Sequence, residues 1–208
     1  MGRLPKILWY VLAILAFVNG VEAFRYLLPH VPFPAEIDNF FHRRPALSLH
    51  ALSGGIALIA GPLQFAPRFR QSNWMRHRLL GWIYCCAVLL GWCASLWIAP
   101  HAETGWVASA GFLTLGVFWI ASTAIAVKRI VQGEAIRHRR WMIRSYALTA
   151  AAVTLRIYLP FSFAFHWPFT IAYPTIAWLC WIPNAIAAEI YLHYVPTPSR
   201  AALPASLA

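Results

Sequence analysis

The chain has 208 residues, of which 61% are hydrophobic and 11% are charged, and its mean hydropathy is +0.60. A soluble domain is far less apolar, so the composition excludes that class and predicts an integral membrane protein in a lipid bilayer. The net charge of +11 would suggest nucleic acid for a soluble chain, but the basic residues cluster between apolar runs, where membrane orientation explains them and no nucleic-acid partner is expected.

Six apolar stretches are each long enough to cross about 30 Å of hydrocarbon, which takes roughly 20 helical residues. They predict an all-α fold, a single transmembrane domain over residues 1–195 with helices near 6–26, 45–65, 77–99, 105–128, 140–161 and 170–194. The start of the chain also resembles a signal peptide that ends near Ala23, but the five spans that follow favour an uncleaved helix. The tail over 196–208 is rich in proline, serine and alanine, and we expect it to be disordered.

Basic residues are concentrated in the segments on one side of the predicted bundle. They are Arg3 and Lys6 at the start, Arg68, Arg70, Arg76 and Arg78 between helices two and three, and Lys128, Arg129, Arg137, Arg139 and Arg140 between helices four and five. Cytoplasmic loops carry an excess of lysine and arginine. The pattern therefore predicts that both termini lie in the cytoplasm and that the protein resides in a bacterial inner membrane.

Three predicted helices each combine a histidine with a stripe of small or polar side chains at helical spacing. The stripes are His50, Gly54, Ala57, Gly61 and Gln64; His77, Gly81, Tyr84, Val88, Gly91 and Ser95; and His138, Met142, Ser145, Thr149, Ala152 and Arg156. Such stripes are typical of helix–helix interfaces, because small residues let backbones approach and polar ones hydrogen-bond across.

The same stripes fit a b-type haem, which needs two axial imidazoles from facing helices, space beside them and cations for its propionates. His77 and His138 lie at the cytoplasmic ends of their helices, and each is followed by an arginine. They are the predicted iron ligands, with Arg78, Arg139 or Arg144 near the propionates. The alternative is that these histidine–arginine pairs meet lipid phosphate or cap a helix.

His50 lies near the outer end of the second helix, at a depth similar to that of Arg156 in the fifth. Both are further candidates for cofactor binding. A second haem at this level would need another histidine ligand. His101, beside the link between the third and fourth helices, is the one that could supply it.

Other ionisable groups at membrane depth each need a partner or a role, because an isolated charge there costs several kcal/mol. Arg144 and Glu189 lie about one turn from the same side and predict an ion pair, while Arg156 predicts an outer partner such as Glu22 or a ligand. Pro183 should loosen the preceding helical turn and free backbone carbonyls that Asn184 or a ligand satisfies.

Four segments of the chain resemble the signature segments of a bacterial family of predicted membrane proteins that share a domain of unknown function, DUF2306. They read LHALSGGIALIAGPLQF, HRLLGWIYCCAVLLG, HRRWMIRSYALTAAAVTLRIYLP and WLCWIPNAIAAE, and they extend from about His50 to Glu189. The resemblance implies a set of motif positions rather than an activity. Those positions are His50, Gln64, His77, Gly81, Tyr84, His138, Trp141, Arg144, Arg156, Asn184 and Glu189. The plan is also similar, by analogy only, to membrane electron carriers of the cytochrome b561 and ferric-reductase type.

These observations support three hypotheses for function. The first is electron transfer through haem b held by His77 and His138, between a quinone and another redox partner. The second is a transporter or ligand-binding protein for a polar or anionic solute or a proton, with Arg144, Arg156, Asn184 and Glu189 lining its cavity and Gln64 and Tyr84 in the polar cluster. The third is an assembly or scaffold protein whose charges only fix helix pairing.

Overall fold

The computed structural model describes residues 3–28, 43–66 and 73–194, and the predicted disordered tail lies outside these ranges. In this part of the chain the regular structure consists of helices. The α-helices are α1 (Arg3–Glu22), α2 (Arg44–Phe65), α3 (Trp74–Ile98), α4 (Trp106–Val131), α5 (Ala135–Thr149), α6 (Ala151–Ala164), α7 (Phe169–Leu179) and α8 (Ile182–Tyr194). Short 3₁₀ segments follow α1, at Ala23–Leu27, and α3, at Ala99–His101.

The six predicted transmembrane helices are confirmed, since the described residues contain six helical spans that are long and apolar enough to cross a membrane. These spans are Ile7–Leu27, Arg44–Phe65, Trp74–His101, Trp106–Val131, Ala135–Ala164 and Phe169–Tyr194. Consecutive spans run in opposite directions, so α1 begins and α8 ends at the same end of the bundle. We call this the terminal end and the opposite one, where α2 begins, the distal end.

The fifth and sixth spans are each interrupted once. In the sixth, the break between Leu179 and Ile182 has the predicted cause, because Pro183 has no N–H to continue the helix. Asn184 satisfies a carbonyl freed there, since its Nδ2 donates to the Cys180 carbonyl at 3.1 Å. The interruption at Ala150 is slight, since its N–H still donates to the Tyr146 carbonyl at 2.9 Å and the span keeps its direction.

The first span packs against the rest of the bundle through a close backbone contact. A Cβ atom added to Gly20 would lie 2.9 Å from the Gly55 carbonyl oxygen, and one added to Gly55 would lie 2.7 Å from that of Gly20. Small residues allow such an approach between membrane helices, where packing and polar contacts replace the hydrophobic effect. Much of the remaining surface of α1 is exposed, including Ile14 and Phe17, and would face lipid.

A buried hydroxyl network joins α3, α4 and α5 in the middle of the bundle. The Tyr84 hydroxyl contacts the Ser145 and Thr149 hydroxyls, each at 2.8 Å, and Thr123 contacts Ser145 at 2.7 Å. The indole N–H of Trp119 donates to Thr149 at 2.8 Å. All five side chains are less than one-tenth exposed. Because each polar atom has a partner, the network fixes how these helices pack.

Candidate functional site

A cavity of about 760 Å³ lies in the distal half of the bundle, and all six spans contribute to its wall. Its volume is within the range of roughly 300–1,000 Å³ found for ligand pockets in proteins. Apolar side chains such as Leu58, Leu155 and Phe163 form most of the wall, together with a small set of polar and charged groups. This combination is typical of a site for a small molecule with an apolar body.

The charged groups of the cavity are Glu22, Arg25 and Arg156. The Glu22 carboxylate accepts a hydrogen bond from Nε of Arg156 at 3.0 Å, so the predicted pair of Arg156 with Glu22 is present, and its other oxygen forms an ion pair with Nε of Arg25 at 2.7 Å. A second guanidinium nitrogen of Arg156, Nη1, donates to the Ala152 carbonyl at 3.1 Å. Two cations therefore share one anion, and the cluster keeps a net positive charge.

His50 faces the same cavity and is held in one orientation. Its Nδ1 lies 2.9 Å from the Gly91 carbonyl oxygen. A carbonyl can only accept, so Nδ1 carries the hydrogen and Nε2 is the acceptor of the neutral ring. Among the described residues, none forms a hydrogen bond with Nε2. His50 therefore offers the cavity an acceptor when neutral and a donor when protonated.

Trp119 and Thr149 form the floor of the cavity, at the level of the buried hydroxyl network. The helical positions of Arg156 and Thr149 are seven residues apart, which corresponds to about 10 Å along the helix axis. The charged groups thus lie toward the distal end and the floor lies deeper in the membrane. The cavity is polar on one side and mostly apolar along its depth.

Gly54 contributes directly to the open space. Gly54 belongs to the cavity wall and lies in the middle of a transmembrane helix. A Cβ atom added there would meet no neighbouring atom within 4 Å, because it would point into the cavity. A larger side chain at this position would extend into the cavity without a clash at its first atom. Gly54 is therefore the position at which the cavity can be filled with the least disturbance.

Two of the described residues in the cavity wall are exposed, one in the 3₁₀ segment that follows α1 and one in helix α6. Arg25 in that segment and Pro160 in α6 belong to the wall, and both are exposed. Both also lie inside the spans Ile7–Leu27 and Ala135–Ala164. We infer that the cavity opens at these two residues, within the length of the membrane spans.

The predicted pair of Arg144 and Glu189 lies toward the terminal end. Arg144 and Glu189 form the predicted ion pair through two hydrogen bonds, from Nε to Oε1 at 2.6 Å and from Nη2 to Oε2 at 2.8 Å. The Arg144 guanidinium also lies over the Trp141 ring, 4.7 Å from its centroid. Asn184 contacts Thr154 rather than this pair. The polar cluster predicted around Glu189 is thus divided into separate contacts.

The predicted haem ligands share one level near the terminal end. His77 lies seven residues, or two helical turns, before Tyr84, and His138 lies seven residues before Ser145. Tyr84 contacts Ser145, and their two spans run in the same direction, so the two histidines lie at the same level. Nδ1 of His138 lies 2.8 Å from the Ala126 carbonyl oxygen. The backbone carbonyl of His77 accepts a hydrogen bond from Nε2 of Gln64 at 2.8 Å, while Arg78 is exposed.

The sequence-predicted cofactor residues therefore lie in two groups, one toward each end of the bundle. His138 and Arg156 lie 18 residues apart along one span, or about 27 Å, so no single ligand contacts both. His50 and Arg156 meet at the distal cavity. His101, the other histidine considered for an outer site, is exposed and lies outside the cavity wall.

Sequence reasoning missed two residues that shape the site, Trp119 and Thr123. Trp119 is one of 11 tryptophans, and no spacing distinguishes it from those that face lipid. Thr123 lies one turn after it and donates to its carbonyl at 2.9 Å. The sequence feature that could have identified this region is the polar pair Ser122 and Thr123, which lies within a mostly apolar fourth helix.

Comparison with known proteins gives one family. The predicted membrane proteins of the DUF2306 family match residues 47–192, which is more than half of the chain. No curated protein and no solved structure is significantly similar to it. The match includes the wall of the distal cavity from His50 to Cys180 as well as the ion pair of Arg144 with Glu189. The chain is therefore a member of the DUF2306 family of predicted membrane proteins.

Proposed function

We propose that this protein binds a small amphipathic molecule in the distal cavity and either holds it or carries it within a bacterial inner membrane. The observation that carries the proposal is the cavity itself, because six spans line a partly open space of about 760 Å³ with His50 and the Arg156 cluster at one side. A bundle whose charges served only to fix helix pairing would not need this volume. Ionisable groups around a membrane cavity are typical of substrate sites.

The proposal follows the second hypothesis from the sequence but moves it to different residues. Arg156 stays in the site and gains Glu22, Arg25 and His50 as neighbours. Arg144 and Glu189 pair with each other through two hydrogen bonds outside the cavity, which supports a structural role for them at the terminal end.

The test compares the wild type with Gly54→Leu, which should fill the cavity, and with Gly81→Leu as the matched control. Gly81 is also a helical glycine, and a Cβ atom there would lie 3.5 Å from Nε2 of Gln64, outside the cavity. Each protein is extracted from membranes with a polymer and the retained small molecules are identified by mass spectrometry. The wild type and Gly81→Leu should retain a species, at about one copy per chain, that Gly54→Leu lacks. An identical set of molecules in all three proteins would contradict the proposal.

A second candidate function is electron transfer between a quinone and a redox partner through a haem b bound by His77 and His138. The observation in its favour is that both lie at one level and that Nδ1 of His138 is tied to a backbone carbonyl. That contact leaves Nε2 for iron, since a histidine that binds a metal usually donates its other ring N–H to a carboxylate or a backbone carbonyl. Arg144 is engaged by Glu189, so Arg78 is the better candidate for a propionate.

An absorbance spectrum tests the haem directly. Protein purified from haem-replete cells should show a Soret band and split visible bands on reduction, and His138→Ala should lose them. A colourless wild-type preparation would refute this candidate and leave the distal cavity unaffected.

A further inference from the structure

We propose that the ligand of the distal cavity is a membrane-borne amphiphile with a single anionic head, which pairs with Arg156 and His50 while its apolar chain extends toward Trp119. This inference rests on the proposed function, because it names the ligand class of the same cavity. It follows from the charge of the cluster, the depth of the polar groups and the place of the opening.

The net positive charge of the cluster formed by Glu22, Arg25 and Arg156 favours an anionic ligand. Among the described residues of the cavity wall, Glu22 is the one acidic residue, and it is shared by Arg25 and Arg156. Within the described ranges, no acceptor contacts Nη2 of Arg156. A cation at membrane depth is costly unless it is paired, and charge-assisted hydrogen bonds to a carboxylate or phosphate are the strong ones. An anionic head would therefore be stabilised at this guanidinium.

The His50 ring supports the same head group. Its Nε2 borders the cavity and, because Nδ1 is held by the Gly91 carbonyl, protonation makes Nε2 a donor aimed at the ligand. An acidic head that arrives with its proton can instead donate to the neutral ring. In both cases one proton lies between the head group and the ring and forms one hydrogen bond, and where both have lost that proton Arg156 alone pairs with the head group.

The depth of the groups matches the orientation of an amphiphile in one leaflet. Arg156 lies eight residues before the end of α6, or about 12 Å from it, while the floor at Thr149 lies about 10 Å deeper. A head group at Arg156 would thus have its chain pointing to the middle of the membrane, along Leu155, Leu148 and Trp119. This is the direction in which acyl chains already lie in the surrounding bilayer.

The opening admits such a molecule from the membrane. It lies between Arg25 and Pro160, inside the membrane spans, so a ligand can enter from the lipid without crossing water. The contact of Glu22 with Arg156 joins α1 to α6 beside this opening. An anionic head therefore competes with Glu22 for the same guanidinium.

Equilibrium dialysis on protein in nanodiscs of zwitterionic lipid tests the head-group preference at pH 8, with empty nanodiscs subtracted. The probes share one chain and differ in the head: decanoate, decyl phosphate, decanol and decyltrimethylammonium. Decanoate or decyl phosphate should bind at least tenfold more tightly than decanol and the cation. The ratio of the two anions tells a carboxylate head from a phosphate head.

Three variants locate the effect. Arg156→Gln should weaken anion binding at least tenfold, which is about 1.4 kcal/mol, and change decanol binding less than twofold. Glu22 keeps its contact with Arg25 in that variant, so α1 retains an ion pair. Glu22→Gln should tighten anion binding because it removes the competing carboxylate. Arg144→Gln, at the terminal end, is the control and should leave all four affinities unchanged.

The outcomes separate the two proposals. Equal binding of all four probes, or anion binding that Arg156→Gln leaves unchanged, overturns the anionic head but leaves a ligand cavity. Failure of every probe to bind above the empty nanodiscs overturns the proposed function as well.

Discussion

Replacing Thr149 with valine removes one oxygen from the centre of the buried hydroxyl network and keeps the shape of the side chain. That oxygen accepts from the Trp119 indole at 2.8 Å, contacts the Tyr84 hydroxyl at 2.8 Å and donates to the Ser145 carbonyl at 3.0 Å. Thr149→Val leaves the indole N–H without its partner, while Tyr84 keeps its contact with the Ser145 hydroxyl.

The loss of free energy of unfolding in Thr149→Val depends mainly on the Trp119 indole N–H that is left without an acceptor. Hydrogen bonds between membrane helices contribute about 0.6 kcal/mol on average and up to about 1.7 kcal/mol. Leaving a buried donor unsatisfied costs about 1–3 kcal/mol. Trp119 is 6% exposed and borders the cavity on one side only. We therefore expect Thr149→Val to lower the free energy of unfolding by about 1–3 kcal/mol.

The assay is reversible unfolding in mixed micelles of a mild detergent and sodium dodecyl sulfate. Thr175→Val is the matched control, because Thr175 is exposed and its hydroxyl bonds only to the Ile171 carbonyl one turn back, at 2.8 Å. It should cost less than about 0.5 kcal/mol. In a Trp119→Phe background, which has no indole N–H to orphan, Thr149→Val should cost less than in the wild type. Equal costs in both backgrounds, or a loss no greater than that of the control, would refute the reasoning.

Three further predictions concern packing, charge and topology. Gly61→Ala should destabilise the protein by about 1–3 kcal/mol, because a Cβ atom there would lie 2.0 Å from the Tyr146 ring. Gly81→Ala meets no such contact and should stabilise the protein by up to about 1 kcal/mol. Unfolding in mixed micelles distinguishes these opposite signs. A double-mutant cycle of Arg144→Gln and Glu189→Gln should give a coupling energy of at most about 1 kcal/mol, since the Glu189 side chain is 57% exposed; a coupling of several kcal/mol would show that the pair is desolvated. A fluorescent protein fused to the C terminus should fluoresce in cells, as the basic loops predict a cytoplasmic terminus, and a dark, translocated fusion would reverse the topology.

The spans and both membrane ion pairs could be predicted from the sequence because they depend on length, depth and charge. Hydropathy places Arg144 and Glu189 at one level and Arg156 and Glu22 at another, and few other acidic groups are available to each cation. The break in the sixth span was also predictable, because Pro183 lacks a backbone donor whatever surrounds it. Each of these features follows from local chemistry.

The sequence suggested a cavity but not its place or most of its wall, because these depend on how far the helices stand apart. Gly54 and Gly61 occupy the same stripe of α2, yet one faces open space and the other lies against the Tyr146 ring. The stripe predicts a close interface at both positions. Near Gly54, helix α1 is held by its contact at Gly55 and by the ion pair of Glu22 with Arg156, whereas the space at Gly61 is filled by Tyr146. Such spacing is a property of the assembled bundle.

The central claim is that the distal cavity holds an amphiphile, and anomalous diffraction locates such a molecule directly. Crystals grown in a lipid mesophase with ω-bromodecanoate, measured at the bromine absorption edge, should show one strong bromine peak inside the cavity. With the carboxylate at Arg156, the bromine should lie near Trp119 and Thr149, and the peak should disappear in Gly54→Leu. Bromine peaks confined to the lipid-facing surface, or a cavity closed by neighbouring side chains, would contradict the claim.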